Sequence, residues 1–491
     1  TGVISGTPEI AGSFDIQVTA TNIVGTSTSA TITIAIAQGT QAIAGFTNIN
    51  STLGAADIAL PTTTSAGLTV SYSSSNTGVA TVSGIVGLGT TTITATQAGN
   101  ANWNALTQDI TLTVTETSAV YNGVGVFEKV TSETELIDGY YVITNETAAF
   151  LMTNGRSGSA TTGFFVSADS DALSVFILNP TTDNVWKIET SGAGKTIYNE
   201  VSEKYVGWSS GNAASIEDAP ADTNRWTFTY LDGKFTVNNV VDPVRQLSYN
   251  ATNPRFAAYG NANQQELQLF RLVESTTWNG TAWSNGDPNN DKVTVIDAPI
   301  IVGEPGMTKS VIITANGSVT IPNGSAVTVD GVIVNAASAS DFVVESGANL
   351  IQNQDVENFG EITVNRNSNL MKLLDYTMWS TPVEGQGIQA FSPETLSNRI
   401  YKYDAVDNAY VNTFAETEFQ EGQAYLFRAP NNFTETPQVF NGVFTGVPNN
   451  GNVSVPVTAE AYNGLGNPYP SAIDADALFA ENTQILSLYF W

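Results

Sequence analysis

The chain has 491 residues. A single core stops growing at roughly 250–300 residues, so we expect about four or five modules. The net charge of −29 opposes binding to nucleic acid or anionic lipid. The sequence contains no Cys and no His, which excludes Cys/His zinc sites, Cys nucleophiles, Ser-His-Asp triads and His-ligated haem. No run approaches the ~18 apolar residues of a membrane span.

Residues 1–38 contain two runs, 13–20 and 29–35, in which apolar and polar residues alternate. This period of two predicts half-buried β-strands. Residues 1–22 resemble the closing half of bacterial Ig-like domains. The resemblance implies a partial Ig-like domain over 1–38, and we expect its first strands to precede Thr1.

Residues 39–116 form the next predicted module. The run 70–82 predicts one hairpin-like pair, and the runs 89–96 and 110–114 predict two more strands. Ser-Ser-Asn followed by Val-Ala-Thr-Val, and then by Gly-Thr-Thr-Thr-Ile-Thr-Ala, resembles another bacterial Ig-like family. The resemblance implies an Ig-like domain that serves as a spacer.

A threefold internal repeat follows. The stretch 139–145 returns at 194–199 and again at 233–238, and each copy is followed by a second matching piece at Trp186, Trp226 or Leu267. These second pieces lie 40 and 41 residues apart. Three similar units of short strands that close on one another predict a β-trefoil-like domain over 124–274. The first unit is longer, and we expect its insertion around 155–171.

The repeat resembles the ricin-lectin type of β-trefoil, in which a Gln-x-Trp motif places an aromatic residue in the core of each unit. Trp186 and Trp226 occupy the matching positions, whereas the third unit has Leu267. The Gln of the motif is replaced by Asn184 and Asn224, and only Gln265 keeps its identity. The resemblance therefore implies the architecture and does not by itself carry sugar binding.

A sugar site needs an aromatic face for the apolar side of the ring and polar groups for its hydroxyls. The predicted ligand-binding residues are Trp208, Tyr249, Asn250, Tyr259 and Asn261. Trp208 lies between Gly207 and Ser209, which predicts a position near a loop. The alternative interpretation places all five residues in the core or at its rim.

Residues 276–368 are predicted to form a β-solenoid-like repeat region. Trp278 and Trp283 flank an Asn-Gly pair, which predicts a hairpin with cross-strand aromatic contact. Turn pairs then recur every seven residues, at 316–317, 323–324 and 330–331. Short strands separated by turns at fixed spacing predict stacked β-coils, with a meander of hairpins as the alternative.

The loop 286–291 carries several oxygen ligands and raises Ca²⁺ as an alternative to a plain turn. It lacks the spacing of an EF-hand. We assign no metal site, no cofactor and no catalytic residue from the sequence.

Residues 369–491 are rich in aromatic residues. The runs 399–403 and 423–427 predict paired strands of a β-sandwich, and 475–482 predicts a short helix that begins near Asp474. The apolar run 485–491 would suit a strand that pairs with a continuation of the chain or with another chain.

Residues 276–286 and 466–474 together resemble a region of large exported surface proteins of Bacteroidetes. In those proteins the region precedes a sorting domain that the type IX secretion system reads. The resemblance implies export to the outer cell surface or the medium of a Gram-negative bacterium. It also implies secretion or surface-anchoring proteins as partners.

The sequence therefore predicts a non-enzymatic, cell-surface or secreted, adhesin-like protein with an extracellular glycan or surface as ligand. One alternative is the accessory binding and spacer portion of a secreted polysaccharide-degrading enzyme whose catalytic domain lies outside this chain. Two others are a glycosidase with a carboxylate pair inside this chain and a passenger that contacts export machinery. A catalytic domain encoded downstream would favour the first alternative.

Overall fold

The computed structural model describes residues 3–52, 58–81, 84–87, 89–115, 120–260, 263–303, 306–413 and 416–489. It divides into two compact units, Thr1–Val120 and Tyr121–Trp491. Both units consist mainly of β-strands, which confirms the predicted all-β class. In the described ranges, no helix has the length and apolar character needed to cross a membrane.

The first unit contains one four-stranded sheet and several short hairpins. β1 pairs antiparallel with β4, which confirms the two alternating runs of the first module. The larger sheet has the order β5-β10-β9-β6, and β9 and β10 are the predicted strands after residue 88. The strands are β1 (Gly12–Val18), β2 (Thr21–Asn22), β3 (Gly25–Thr26), β4 (Ala30–Ile36), β5 (Ile49–Thr52), β6 (Ser71–Ser74), β7 (Ala80–Thr81), β8 (Gly84–Ile85), β9 (Gly89–Gln97) and β10 (Leu106–Thr115).

The predicted hairpin over 70–82 is wrong. β6 pairs with β9, and β7 pairs with β8 instead of β6. The carbonyl of Asn76 accepts the N–H groups of both Val79 and Ala80, which wraps the chain into a turn. This turn buries Val79 and Ala80 in the core, so their burial takes precedence over pairing with β6. Val82 lies outside the described residues, and the Ig-like family of this unit stays a prediction.

The second unit begins with a closed barrel. Six strands pair in the cyclic order β12-β16-β17-β20-β21-β24, and β24 returns to β12. The strands of this region are β11 (Val126–Lys129), β12 (Gly139–Asn145), β13 (Phe150–Ser157), β14 (Phe164–Asp169), β15 (Phe176–Leu178), β16 (Val185–Ser191), β17 (Gly194–Asn199), β18 (Lys204–Gly207), β19 (Ser215–Glu217), β20 (Arg225–Leu231), β21 (Lys234–Asn239), β22 (Gln246–Asn250), β23 (Arg255–Tyr259) and β24 (Leu267–Val273).

Three hairpins complete the barrel, one in each repeat: β13–β14, β18–β19 and β22–β23. Each hairpin lies between the first and last barrel strands of its repeat. Six barrel strands with three such hairpins are the β-trefoil architecture, and closure leaves no free sheet edge in the barrel. The predicted β-trefoil-like fold is confirmed.

The matching positions of the repeat lie in equivalent places in the barrel core. Trp186 and Trp226 are at most 1% exposed, and Leu267 is fully buried. The Trp186 indole N–H donates to the Met152 carbonyl at 2.9 Å, and the Trp226 indole donates to the Val206 carbonyl at 2.8 Å. Each indole thus ties the last strand of its repeat to the second strand of the same repeat. Leu267 fills the third position without this bond.

Two details of the predicted repeat are wrong. The partner of Asn145 and Asn199 in the third repeat is Asn239, because β17 ends at Asn199 and β21 ends at Asn239. Asn238 is one residue out of register, and its side chain therefore lies on the opposite face. The extra length of the first repeat is divided between a longer β13–β14 hairpin and the segment 170–184, which contains β15.

The trefoil is followed by a solenoid of about four turns with three parallel sheets. The sheets are β25-β26-β29-β32, β27-β30-β33-β35 and β28-β31-β34. The strands are β25 (Ser275–Trp278), β26 (Val293–Ile296), β27 (Pro299–Ile301), β28 (Gly306–Thr308), β29 (Ser310–Ile313), β30 (Ser318–Ile321), β31 (Ala326–Val329), β32 (Ile333–Asn335), β33 (Phe342–Val344), β34 (Asn349–Gln352) and β35 (Ile362–Met371).

Parallel stacking confirms the solenoid and overturns the meander alternative, in which neighbouring strands would run antiparallel. The predicted turn pairs 316–317, 323–324 and 330–331 lie at corners between successive strands. Trp278 and Trp283 form the predicted antiparallel bridge, and their ring centroids are 5.3 Å apart.

The last region adds a second β layer. β36 (Tyr376–Trp379), β37 (Ile400–Asp404), β38 (Ala409–Asn412) and β39 (Tyr425–Arg428) form a sheet of order β36-β39-β37-β38, and β40 (Gln438–Gly446) pairs with β35. The helices are α1 (Ile388–Phe391) and α2 (Ala475–Glu481), and single 3-10 turns occur at Glu133–Glu135, Thr182–Asn184, Asp222–Asn224, Ala339–Asp341 and Ser397–Arg399.

The two layers share one apolar core with the solenoid. Phe391 packs against Phe444 of β40 at a centroid distance of 4.3 Å and against Phe427 of β39 at 5.6 Å. The predicted helix is confirmed, because the Asp474 carboxylate accepts the N–H groups of Asp476 and Ala477. Residues 485–489 form no strand, and 490–491 lie outside the described residues.

Candidate functional site

Trp208 follows β18 at the start of a loop, as its glycine and serine neighbours predict. Its indole N–H donates to the Gly211 carbonyl at 2.9 Å, and its backbone N–H donates to the Thr223 carbonyl at 2.9 Å. The guanidinium of Arg245 lies 5.2 Å from the centre of its ring. The half-buried ring packs against the trefoil core. Trp208 therefore fixes the loop within the second repeat, and Arg245 of the third repeat covers one face of its ring.

The other predicted ligand residues lie on the β22–β23 hairpin. Tyr249 is 1% exposed and stacks on Phe150 at 5.4 Å, so its ring offers no free face. Tyr259 is buried, and its hydroxyl accepts a hydrogen bond from Arg255 at 3.0 Å. Asn250 accepts the N–H groups of Thr252 and Asn253 and thereby closes the hairpin turn. Asn261 lies outside the described residues.

The hairpin of the second repeat presents a different aromatic pair. Tyr198 on β17 and Tyr205 on β18 are directly opposite in register, and their ring centroids are 4.7 Å apart. Both rings are partly exposed. Lys187 is the register partner of Tyr198 on the other side, and Glu217 is the partner of Tyr205. We call the row Lys187, Tyr198, Tyr205 and Glu217 the tyrosine row.

The charged ends of the tyrosine row are held by neighbouring side chains. Lys187 forms an ion pair with Glu189 at 2.7 Å. Burial lowers the pKa of Lys187, but the hydrogen bond and charge of Glu189 outweigh burial and raise that pKa overall. At the other end, Glu217 Oε2 accepts bonds from Thr223 and Asn224 at 2.8 and 3.0 Å. The row thus joins two aromatic faces to one fixed cation and one fixed carboxylate.

The tyrosine row is special to the second repeat. The equivalent of the tyrosine pair is Asn238 and Gln246 in the third repeat, and Thr144 and Leu151 in the first. The barrel repeats its core positions three times, but one repeat carries the aromatic surface. Sequence reasoning missed Tyr198 and Tyr205 because the signal lies in the pairing register. The alternation of 194–199 places Tyr198 on the outer face, but it does not show which residue stands opposite.

A groove lies between α1 and β40, with a volume of about 670 Å³. Its lining combines apolar side chains with amides and one carboxylate. Residues that line it include Phe433, Phe440, Asn432, Asn441, Ser392 and Glu394. Such a groove has the mixed lining of a small-ligand site, without a cluster of charged groups.

The loop 286–291 is closed by its own side chains. Asn289 Oδ1 accepts the N–H of Asp291 at 2.9 Å, and the Asn289 carbonyl accepts the N–H of Lys309 at 3.2 Å. In the described part of the chain, no three Asp or Glu side chains come together as metal ligands. The loop therefore has the geometry of a turn.

Several solved structures resemble 27–28% of this chain, all at low identity. The designed threefold-symmetric protein ThreeFoil is 14% identical, with a TM-score of 0.23, 28% of this chain and all of that chain covered. The Rhizoctonia solani agglutinin is 17% identical, with a TM-score of 0.23, 28% of this chain and 96% of that chain covered. SeviL bound to asialo-GM1 saccharide is 18% identical, with a TM-score of 0.21, 27% of this chain and 98% of that chain covered.

These scores are too low to carry an argument, so the trefoil assignment rests on the strand pairing within this chain. No curated protein matches the sequence. A family model described as a domain of unknown function, DUF8693, matches residues 271–491, which comprise the solenoid and the C-terminal β layer.

Proposed function

We propose that the chain is a non-enzymatic, extracellular carbohydrate-binding protein of the adhesin type, and that the tyrosine row is its sugar site on the trefoil. The observation that carries this proposal is the direct pairing of Tyr198 with Tyr205 between a fixed Lys187 and a fixed Glu217. Apolar sugar faces stack on aromatic rings, and hydroxyls bond to charged or amide groups at their edge.

Binding without catalysis is supported by the chemistry of the side chains. The sequence has no His and no Cys, so the common nucleophile and base pairs are missing. Burial and the nearby charge of Glu384 raise the pKa of Glu421, a shift that a glycosidase acid also needs. Neither Glu384 nor Glu421 lines the groove beside α1. We expect no release of reducing ends from any polysaccharide that the chain binds.

The cellular location and export route are part of the proposal. Support comes from the resemblance of 276–286 and 466–474 to exported surface proteins of Bacteroidetes, together with the acidic, cysteine-free composition. We expect protease added to intact cells to remove the protein, and we expect deletion of type IX secretion components to retain it inside. A protein that intact cells protect from protease would contradict this placement.

The test of the sugar site is glycan-array binding by the full 491-residue chain, with and without calcium. Loss of one tyrosine should weaken binding about tenfold, because an aromatic contact contributes on the order of 1.5 kcal/mol. The variants are Tyr198→Ala and Tyr205→Ala. The matched control is Asn238→Ala, which stands at the position equivalent to Tyr198 in the third repeat and should bind normally. Unchanged binding by both tyrosine variants, or no glycan bound by the parent chain, would refute the site.

A further inference from the structure

The sheet β36-β39-β37-β38 has one face in the core and one face turned outward. Ile400, Tyr425 and Phe427 point into the core, where each is at most 2% exposed. Side chains alternate along a strand, so the neighbours of these residues occupy the opposite face. That face carries four partly or largely exposed tyrosines together with two arginines: Tyr376, Tyr401, Tyr403, Tyr410, Arg399 and Arg428. We call it the tyrosine–arginine face.

The four tyrosines form a continuous stripe across the sheet. Tyr403 and Tyr410 are register partners with centroids 5.4 Å apart, and Tyr376 and Tyr401 are 6.2 Å apart. Tyr401 and Tyr403 stand on the same strand, two residues or about 7 Å apart. The Tyr401 hydroxyl donates to the Asn398 carbonyl at 3.0 Å, and the Tyr403 hydroxyl bonds to Asn408. The rings are therefore held in fixed orientations.

Arg428 lies beneath this stripe. β39 runs between β36 and β37, and strands separated by one neighbour are about 9.6 Å apart, so Tyr376 and Tyr401 must lean toward each other over β39. Arg428 is the register partner of Tyr376 and is 9% exposed. Its Nη2 donates to Asn431 at 3.0 Å, whereas its buried Nε has no acceptor in the described structure. Its charge is consequently poorly screened by water.

Arg399 supplies a second, accessible cation on the same face. Its guanidinium is exposed, and Nη1 donates to the Tyr401 hydroxyl at 3.4 Å. Within the described residues, no ion pair to a carboxylate involves Arg399 or Arg428, whereas Lys402 on the other face pairs with Glu416. Of the acidic residues nearest to Arg399 along the chain, Glu394 lines the groove beside α1, and Asp404 accepts two backbone N–H groups at the β37–β38 turn.

We propose that the tyrosine–arginine face binds an acidic polysaccharide, with the tyrosines stacking on sugar rings and Arg399 binding their carboxylate or sulfate groups. Charge complementarity carries the choice of ligand. Arg399 and Arg428 bring two positive charges without carboxylate partners to one face of a chain whose net charge is −29. A guanidinium matches the paired oxygens of a carboxylate or sulfate. The remaining acidic surface repels an anionic ligand on this face only weakly, because salt screens charges beyond the Debye length of about 8 Å at physiological ionic strength.

The test compares polygalacturonate with its fully methyl-esterified form, and dextran sulfate with dextran. The two polymers of each pair have the same sugar chain and differ in charge. The first pair therefore tests carboxylate groups, and the second pair tests sulfate groups. Binding is measured by biolayer interferometry with the full chain carrying Tyr198→Ala and Tyr205→Ala. This background removes the trefoil site, so failure of one proposal does not decide the other.

We expect at least one acidic polymer to bind about tenfold more tightly than its neutral counterpart, because hydrogen bonds between charged groups are the stronger kind. Raising the salt concentration should weaken binding. Arg399→Gln and Tyr410→Ala should each weaken it several-fold, since Arg399 is exposed and Tyr410 is 41% exposed, so neither substitution disrupts the core. Lys234→Gln and Tyr462→Ala, which match the change in charge or aromatic area elsewhere, should leave binding unchanged.

Equal binding of acidic and neutral forms would overturn the proposal, as would an Arg399→Gln variant that binds like its parent. Binding of a proline-rich peptide in place of both acidic polymers would assign the stripe to a protein ligand and refute the proposal. No binding to any polymer would refute it as well.

Discussion

A buried asparagine at the end of the first barrel strand is a structural element of each trefoil repeat. Asn199 is fully buried; its Nδ2 donates to the Val185 carbonyl at 3.0 Å, and its Oδ1 accepts the Ser202 N–H at 2.9 Å. Asn239 makes the equivalent bonds to the Arg225 carbonyl and the Asp242 N–H at 3.3 and 3.4 Å. Each side chain thus joins the start of a hairpin to the chain that enters the preceding barrel strand.

We predict that Asn199→Ala lowers the free energy of unfolding of the second unit by about 2–4 kcal/mol, because the buried Val185 carbonyl and Ser202 N–H lose a partner. Urea denaturation followed by tryptophan fluorescence measures the change. Asn238→Ala is the matched control, since Asn238 points away from the core and should cost less than about 1 kcal/mol. Equal losses of unfolding free energy in the two variants would contradict the register in which the Asn238 side chain points away from the core.

Asp138 makes stability depend on pH. Its Oδ1 accepts from Thr190 N, Thr190 Oγ1 and Lys195 Nζ at 2.9, 2.7 and 2.9 Å. Burial raises the pKa of Asp138, but the bonds to Lys195 and Thr190 outweigh burial and lower the pKa overall. Because the folded-state pKa lies below the unfolded value of about 3.9, the ionised Asp138 carboxylate stabilises the fold at pH values above about 3.9. This stability is lost as the pH falls through the folded-state pKa.

We therefore expect Asp138→Asn to destabilise the fold at neutral pH, and we expect the difference from the parent to shrink as the pH falls below about 4. Urea denaturation at pH 7 and at about pH 3 provides the comparison. Asp171→Asn, an exposed carboxyl, should unfold like the parent at both pH values. A difference for Asp138→Asn that does not change with pH would show that the ion pair with Lys195 has no such role.

At the scale of elements, periodic sequence patterns predicted the fold correctly where the burial of repeated positions creates the period. Trp186 and Trp226 recur at a fixed period because each fills the same barrel position, and the solenoid turns recur because each closes one corner. Which strands pair with each other was harder to predict from the sequence. The wrong hairpin at 70–82 arose because β6 pairs with β9, which is distant in sequence. The slip at Asn238 arose because Gly233 lies in the turn before β21, whereas Gly194 is the first residue of β17, so aligning the two glycines shifts the register by one residue. Tyr198 and Tyr205 were missed because a row of residues across neighbouring strands can be recognised only when the pairing register is known.

Gly360 shows how closely the turns of the solenoid stack. Its φ is +85°, and a Cβ built on it would lie 2.0 Å from the Asn335 carbonyl oxygen of the preceding turn. Gly324 has almost the same φ of +84°, yet a Cβ there meets nothing within 4 Å. The pair separates the two roles of glycine, which are a left-handed backbone and a close approach between neighbouring turns.

We predict that Gly324→Ala costs about 1–2 kcal/mol, which is the strain of a left-handed alanine. Gly360→Ala should cost clearly more, because the stacked backbone must also move apart. Thermal unfolding of the two variants gives the comparison. Similar melting temperatures for the two would mean that backbone strain alone sets the requirement and that the turns are not tightly stacked at Gly360.

At the scale of the whole second unit, the trefoil and the solenoid share a buried apolar cluster. Val126 and Phe176 of the trefoil pack with Val293, Ile312 and Val334 of the solenoid. Glu128 pairs with Lys309 at 2.5 Å beside this cluster, and β24 is followed by β25 after a single residue. The extra strand β15 of the first repeat thus has a packing role, since it supplies Phe176. The tyrosine row and the tyrosine–arginine face consequently belong to one compact unit.

We predict that Phe176→Ala weakens both modules together. Phe176 is fully buried, and removal of its ring should cost about 3–5 kcal/mol. Since the cavity opens between the trefoil and the solenoid, hydrogen exchange should accelerate in β11 and β24 on one side and in β26 and β29 on the other. Lys309→Gln, which removes a partly exposed ion pair at the same boundary, should cost at most about 1 kcal/mol. Acceleration of hydrogen exchange confined to the trefoil strands would mean that the two modules fold independently. A glycan that contacts both the tyrosine row and the tyrosine–arginine face would then bind two loosely linked sites instead of one rigid pair.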